Sequence, residues 1–328
     1  MKEITINDVL RARKKIAGYV LRTPLVVSHK LRERTGADVY FKLESLQKTG
    51  SFKVRGAANK ILSLTEDEKS RGVITFSTGN HGKAVAYMAG RLGIDATVCL
   101  SEHVPAYRAE AIRELGAQLS IRGKSQDEAE DNYHRITREK GMIPVVPFDD
   151  PFIIAGQGTV GVEMMEDDPE IDTVLVPLSG GGLLSGVALA VKSLNPSARV
   201  VGVSVERSKV MLESLKRGKP VQMEEQDTLA DSLLGGIGTS NKYTLAMVRQ
   251  YTDDHVVISE EEIKDGMYYA LKNHGLVVEG AAAVGISALL HGKLKVHEKK
   301  IAVVVSGSTV YLPQYLAVIN EKLKKDIT

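Results

Sequence analysis

Near the start of the chain, Val9, Leu10, Ile16 and Val20 recur at helical spacing, with Thr5 or Asn7 available to cap the first turn. The run should close near Arg22-Thr23-Pro24, because the residue before a proline leaves the helical region. Asp38-Val39-Tyr40-Phe41-Lys42-Leu43-Glu44 alternates well enough to be a strand. Beyond it, short apolar runs take turns with amphipathic ones. Strands are expected at 72–76, 95–100, 118–121 and 142–146, separated by helices at 81–92, 106–115 and 125–140. A second set of strands follows at 172–177, 199–205, 255–258 and 300–306, again with helices between. Strands alternating with helices of this length predict parallel sheets. The expected fold class is therefore α/β, with two doubly wound domains whose sheets are mainly parallel. The break at Pro147-Phe148-Asp149-Asp150-Pro151 is the expected domain boundary, and a cleft between domains is where such folds hold small ligands.

Composition narrows the partners more than the fold. With 328 residues, 43% hydrophobic, 26% charged, 30 Gly and 10 Pro, the chain can bury two ordinary cores and is not a disordered sequence. A net charge of +2 with acids and bases interspersed argues against nucleic acid and anionic membrane as partners. Cys99, the single cysteine, lies in an apolar run and reads as a buried strand residue. Met1-Lys2-Glu3-Ile4-Thr5 lacks an apolar signal core, and no run of about 18 apolar residues occurs. A cytoplasmic protein with no membrane partner is the expectation.

The candidate chemistry lies at one lysine and at strand ends. In Gln47-Lys48-Thr49-Gly50-Ser51-Phe52-Lys53-Val54-Arg55-Gly56, Ser51 is a plausible N-cap, which would put Lys53 in the first turn of a helix. The positive end of the helix dipole there lowers a lysine pKa and favours the neutral amine that nucleophilic catalysis needs; an idle solvated lysine is the plainer reading. After the strand at 72–76 comes Ser77-Thr78-Gly79-Asn80-His81-Gly82, which suits either a carboxylate cradle or a capped helix entry. After 172–177 comes Leu178-Ser179-Gly180-Gly181-Gly182-Leu183-Leu184-Ser185-Gly186, expected to open a helix from Val187. Three consecutive glycines at a helix start make a phosphate cup, or serve only close packing. The stretch lacks the Gly-Lys-Ser/Thr ending of a nucleotide loop and fails the GxGxxG spacing, so a single phosphate on a small cofactor fits better. Ser306 closes the last apolar strand, either as a cap or with its hydroxyl in the cleft. An amine, a phosphate cup, a polar cradle and a strand-end hydroxyl are the parts for holding pyridoxal phosphate.

These motifs, together with Ala155-Gly156-Gln157-Gly158-Thr159 and Ser306-Gly307, resemble the fold-type II (tryptophan synthase β-like) pyridoxal-phosphate enzymes of the threonine dehydratase and serine racemase group, over about residues 7–323. The resemblance implies that Lys53 is the Schiff-base lysine and catalytic base, and that Phe52 packs on the cofactor ring. It implies that Asn80 bonds the ring oxygen, that Ser179, Gly180, Gly181, Gly182 and Leu183 bind the phosphate, and that Ser306 meets the ring nitrogen. Ser77, Thr78, Asn80 and His81 would hold the substrate, with Thr78 also facing the reacting carbon. The implied domains are a large one, 1–52 plus 149–328, and a small one, 53–148. The implied reaction is β-elimination from an L-β-hydroxy amino acid, L-threonine or L-serine, to a 2-oxo acid and ammonia, catalysed by a homodimer or higher homo-oligomer.

Departures from the family pattern select within it. Racemases of the group carry serine where this chain has Thr78, whose methyl group crowds that face. The family's cation site uses two acids; Glu206 matches the first, but Leu212 stands at the second, so no metal is expected there. Ser232 replaces the glycine of the usual Ala-Asp-Gly and adds a polar group to the substrate pocket. With Glu279-Gly280 in place of Glu-Pro, it makes the chain look most similar to the hydroxyectoine-utilisation dehydratases. The chain ends at Thr328, without room for the regulatory domain of biosynthetic threonine dehydratases. Dehydration of a 3-hydroxyaspartate or a hydroxyectoine-derived amino acid, serine racemisation, and a non-catalytic amino-acid-binding module stay open as alternatives.

Overall fold

The computed structural model of the chain describes residues 3–77, 79–123, 126–294 and 300–327. Among these residues the strands are β1 (Leu25–Val27), β2 (Asp38–Leu43), β3 (Val73–Phe76), β4 (Ala96–Leu100), β5 (Gln118–Ile121), β6 (Ile143–Pro144), β7 (Thr173–Pro177), β8 (Arg199–Val205), β9 (Asp254–Ile258) and β10 (Lys300–Val305). They form two sheets. One has the order β1-β2-β10-β7-β8-β9, all parallel except the antiparallel edge β1–β2; the other has the order β5-β4-β3-β6 and is parallel throughout. The inner strands are apolar on both faces, as strands covered by helices on two sides must be. The expected α/β class with mainly parallel sheets is what forms.

Among the described residues, fourteen helices cover the sheets. Around the four-stranded sheet lie α3 (Lys53–Ile61), α4 (Glu66–Ser70), α5 (Asn80–Leu92), α6 (Ala106–Arg113) and α7 (Gln126–Lys140). They follow α1 (Ile6–Ile16) and α2 (His29–Thr35), and precede α8 (Pro151–Asp167), α9 (Gly182–Leu194), α10 (Val210–Arg217), α11 (Thr244–Tyr251), α12 (Glu260–His274), α13 (Gly280–Leu290) and α14 (Leu312–Ile327). Helix α13, apolar except for Ser287, is buried along its whole length against the six-stranded sheet.

Several local expectations are corrected. Helix α1 is capped by Thr5, with Asp8 completing a capping box, but it stops at Ile16 rather than near Arg22, because Gly18 turns left-handed at φ 87°. Only Ile143–Pro144 of the expected strand at 142–146 pairs with β3. The three-residue edge strand β1 is too short to show in the sequence. Helix α9 begins at Gly182, five residues ahead of the expected Val187. The glycines that weaken it intrinsically are needed for contact: a Cβ on Gly186 would lie 2.3 Å from the Ile154 carbonyl oxygen of α8. Close packing of two helices outweighs propensity there.

Candidate active site

Strands β2 and β10 run side by side and leave the sheet at the same end, so the segments that follow them meet. Gly50, at φ 76°, turns the chain back. Phe52 N–H then donates to the Ser306 carbonyl at 3.1 Å, Ser308 N–H donates to the Gly50 carbonyl at 2.8 Å, and Ser51 bridges Gly307. Helix α3 starts directly after this staple. Ser51 is therefore not the N-cap: Phe52 holds that position without a side-chain cap, and the buried Ser51 Oγ has no partner. Lys53 does lie in the first turn, as expected, and its Nζ donates to the Pro147 carbonyl at 2.8 Å, 5.3 Å from the Phe52 ring centroid. Burial of the amine lowers its pKa to about 8, against the opposing pull of the Glu279 carboxylate.

Two residues on, Arg55 fixes the base of this turn. Its guanidinium is fully buried and forks to Glu44 at 2.7 and 2.8 Å and to Glu163 of α8 at 2.7 and 2.8 Å. Lys42 joins Glu163 at 2.8 Å, so two cations meet two carboxylates in the interior. Desolvation opposes charging of Arg55, but Glu44 and Glu163 outweigh it and keep the guanidinium protonated.

Lys53 faces a cavity of about 500 Å³, within the range of small-molecule sites, at the carboxyl ends of both sheets. Ser179, Gly180, Gly181, Gly182 and Leu183 line one wall, where α9 begins with Gly181 at φ 86°. The first-turn N–H groups of a helix have no intrahelical acceptor and so can bind an anion. Phe148 backs this wall closely: a Cβ on Gly180 would lie 2.4 Å from its ring. The close-packing reading of the glycines thus holds, and the wall they form faces the cavity. Ser306 and Phe52 line the same cavity.

The opposite wall is the start of α5. Ser77 Oγ accepts from Gly79 N–H at 3.4 Å. Thr78, expected to face the reacting carbon, lies outside the described residues. His81 Nε2 is 2.8 Å from the Val145 carbonyl and therefore carries the proton, which leaves the buried Nδ1 as an acceptor without a partner. Burial, with Lys53 close by, pushes the His81 pKa down to about 3, so the ring is neutral. As folded, His81 offers a lone pair rather than a donor to a carboxylate. Asn80 Nδ2 donates to both oxygens of Glu279, at 2.9 and 3.0 Å, and lies 3.3 Å from Ser232 Oγ; its Oδ1 has no partner.

The sequence reading passed over Glu279 as an active-site residue, as it did Arg108 and Asp231. Burial pushes the Glu279 carboxyl up to about 7, against hydrogen bonds from Asn80 and Ser232. Arg108 on α6 pairs with Asp231, and Tyr107 stacks on Tyr311 at 4.8 Å, so α6 is clipped to the far side of the cavity. In the sequence these are ordinary charges and rings far apart; Asn80 and Glu279 are 199 positions from each other. At the position of the family's cation site, Glu206 is exposed and Leu212 is buried on α10 among apolar neighbours. Among the described residues, no cluster of three or more His, Cys, Asp and Glu side chains forms a metal site, and no helix is long and apolar enough to cross a membrane.

The donor set fits pyridoxal phosphate. It combines an amine that loses its proton near pH 8, a helix start with open N–H groups, a strand-end hydroxyl and an aromatic side chain. Asn80 Oδ1 and His81 Nδ1 are buried without partners beside the same cavity. Known proteins agree. Residues 16–307 match the family model described as pyridoxal-phosphate dependent enzyme. A Sinorhizobium fredii protein provisionally named a threonine dehydratase is 47% identical over 98% of this chain and 96% of its own length. The L-threonine ammonia-lyase of Thermotoga maritima is 43% identical over 98% of this chain and 80% of its own. The structure of maize serine racemase superposes with a TM-score of 0.91 at 34% identity, covering all of both chains. The chain belongs to the pyridoxal-phosphate dependent enzymes of fold type II, in the group of threonine dehydratases and serine racemases.

Proposed function

We propose that this protein is a threonine/serine dehydratase (ammonia-lyase): it eliminates the β-hydroxyl from an L-β-hydroxy amino acid, L-threonine or L-serine, and releases a 2-oxo acid and ammonia. The observation that carries the proposal is Lys53, a desolvated amine held in the cavity wall between a helix N-terminus and a strand-end serine. The relatives named threonine dehydratase and threonine ammonia-lyase support the substrate class.

Pyridoxal phosphate, when bound, would supply an aldehyde for an amine and a conjugated ring that takes the electron pair left when the α-proton departs. Everything else falls to the chain. The start of α9, from Ser179 to Leu183, would hold the phosphate, and Phe52 would lie against the ring. Ser306, a neutral hydroxyl, would meet the ring nitrogen without fixing a proton on it, which keeps electron withdrawal moderate and favours prompt loss of a β-substituent. Lys53 would take the α-proton. At a pKa of about 8, roughly 300 times more of it is neutral at pH 7 than of an ordinary lysine. Ser77, Thr78 and the first N–H groups of α5 would receive the substrate carboxylate. Neutral His81, with its proton committed to Val145, would fix the shape of that wall.

Glu130, Glu225, Asp231 and Glu279 line the cavity against Lys53 and Arg108; Arg108 and Asp231 pair with each other, which leaves three acids against Lys53. This acidic lining favours substrates with an uncharged side chain over a dicarboxylate such as 3-hydroxyaspartate. Ser232 beside Asn80 is the feature that supports a hydroxyectoine-derived substrate as the second reading. The interleaving of the two sheets along the chain supports the division into 1–52 plus 149–328 and 53–148. Exposed Tyr311, Leu312 and Leu316 suit a homo-oligomeric contact, in the cytoplasm.

A panel of L-threonine, L-serine, both 3-hydroxyaspartate diastereomers and hydroxyectoine-derived amino acids, assayed for 2-oxo acid and ammonia, tests the proposal. Threonine and serine should turn over fastest. Faster accumulation of D-serine than of pyruvate, by chiral analysis, would overturn the dehydratase reading in favour of racemisation.

A further inference from the structure

Glu279 is a buried carboxylate that the reaction as derived does not use. It precedes α13, yet its side chain caps nothing on that helix. It turns instead into a pocket of backbone: Thr309 N–H donates to Oε2 at 3.1 Å, and Gly307 passes so close that a Cβ there would lie 2.8 Å from Oε1. From the other side of the cavity comes Asn80, the first residue of α5, whose Nδ2 meets both carboxylate oxygens. Asn80 packs with the four-stranded sheet and Glu279 with the six-stranded one, so this contact ties the two sheets together at the site.

The chemistry of the pair sets a direction. Above its pKa of about 7 the Glu279 carboxylate is ionised, accepts hydrogen bonds and donates none, so it holds the Asn80 amide with its NH₂ toward the six-stranded sheet and its Oδ1 away. One N–H is committed to Glu279. The second N–H of the same group, at present 3.3 Å from Ser232 Oγ, is left as a steerable donor at the cavity edge. Were residue 279 apolar, the amide would be free to flip and present its carbonyl oxygen instead.

We infer that Glu279 is a positioning residue of the cofactor site: it fixes the rotamer of Asn80, and so decides that a donor rather than an acceptor faces the ring oxygen of pyridoxal phosphate. The inference rests on the placement of Asn80 at that oxygen. Ser232 completes the clamp and holds the second N–H until the cofactor takes its place. Glu279 itself touches neither cofactor nor substrate in this role.

The test is a double-mutant cycle on the full-length protein, read by titration with pyridoxal phosphate and by the absorption spectrum of the complex. Glu279→Ala should weaken cofactor binding at least tenfold and move the long-wavelength absorption maximum, as Asn80→Ala should. In the Asn80→Ala background, Glu279→Ala should add less than a twofold loss, because its target is gone. Glu279→Gln keeps one acceptor oxygen and should fall between wild type and Glu279→Ala. If Glu279→Ala lowers the folded fraction, the same cycle run with Glu279→Gln decides. Independent, multiplying effects of the two substitutions would overturn the inference, as would a folded Glu279→Ala protein with unchanged affinity and spectrum. Failure of the wild type to bind pyridoxal phosphate at all would sink the cofactor assignment itself, and this inference with it.

Discussion

At the scale of single residues, position in the fold does more than residue type. Lys53 and Lys60 both belong to α3, but Lys60 pairs with Asp150 while Lys53 is desolvated beside the cavity. Burial disfavours the ammonium, so Lys53 sheds its proton near pH 8 instead of 10.5. Capture of pyridoxal phosphate by the cofactor-free protein should therefore speed up about tenfold per pH unit below 8 and level off above it. Stopped-flow absorbance across pH 6–10 measures this, and a profile still rising at pH 10 would mean that the amine is not desolvated in solution. Lys53→Ala should show no covalent absorption band at any pH. The lysine, the glycine run and Ser306 were legible in the sequence because each sits in a short motif at the end of an apolar strand. Glu279 was not: an acid ahead of the largely apolar run 280–290 reads as an ordinary helix start, and its partner lies 199 residues away.

Among elements, α8 and α9 decide how the glycine wall of the cavity meets the lysine. They approach so closely that glycine is required on both: Gly158 on α8 faces the Gly186 carbonyl of α9, and Gly156 faces the Arg55 and Gly56 backbone of α3. Propensity alone places the start of α9 too late, since it charges every glycine as a defect and sees no neighbour. Gly186→Ala should cost about 3 kcal/mol, because the added methyl meets the Ile154 carbonyl backbone and cannot be relieved by a side-chain rotation. Chemical denaturation measures this, and a loss below ~0.5 kcal/mol would show that the helices can part cheaply. Helix α3 shows the same logic at its start. Ser51 looks like a cap, but pairing of its segment with Gly307 commits it elsewhere, and the helix starts uncapped after Phe52.

Across the whole molecule, a buried ionic cluster and the half-buried Arg108–Asp231 pair join parts that are distant in sequence. The cluster of Arg55, Glu44, Glu163 and Lys42 links the strand β2 exit, α3 and α8 under the lysine. Removing one member strands a buried charge, so Glu163→Gln should destabilise the fold by about 3–5 kcal/mol, with little dependence on salt. Equilibrium unfolding at low and high ionic strength checks both parts; a loss that disappears in salt would contradict the burial. By itself the sequence determined the alternation of the longer strands and helices, the α/β class and the motifs at strand ends. Those features rest on local periodicity and on the rule that parallel strands need helical crossovers. Only the tertiary structure decided which motifs share a cavity, that Asn80 is held by Glu279, that His81 is neutral, and that the glycines of α9 are needed for close packing. These depend on desolvation and on contacts between residues far apart in the chain, and neither is written in the local pattern of apolar and polar positions.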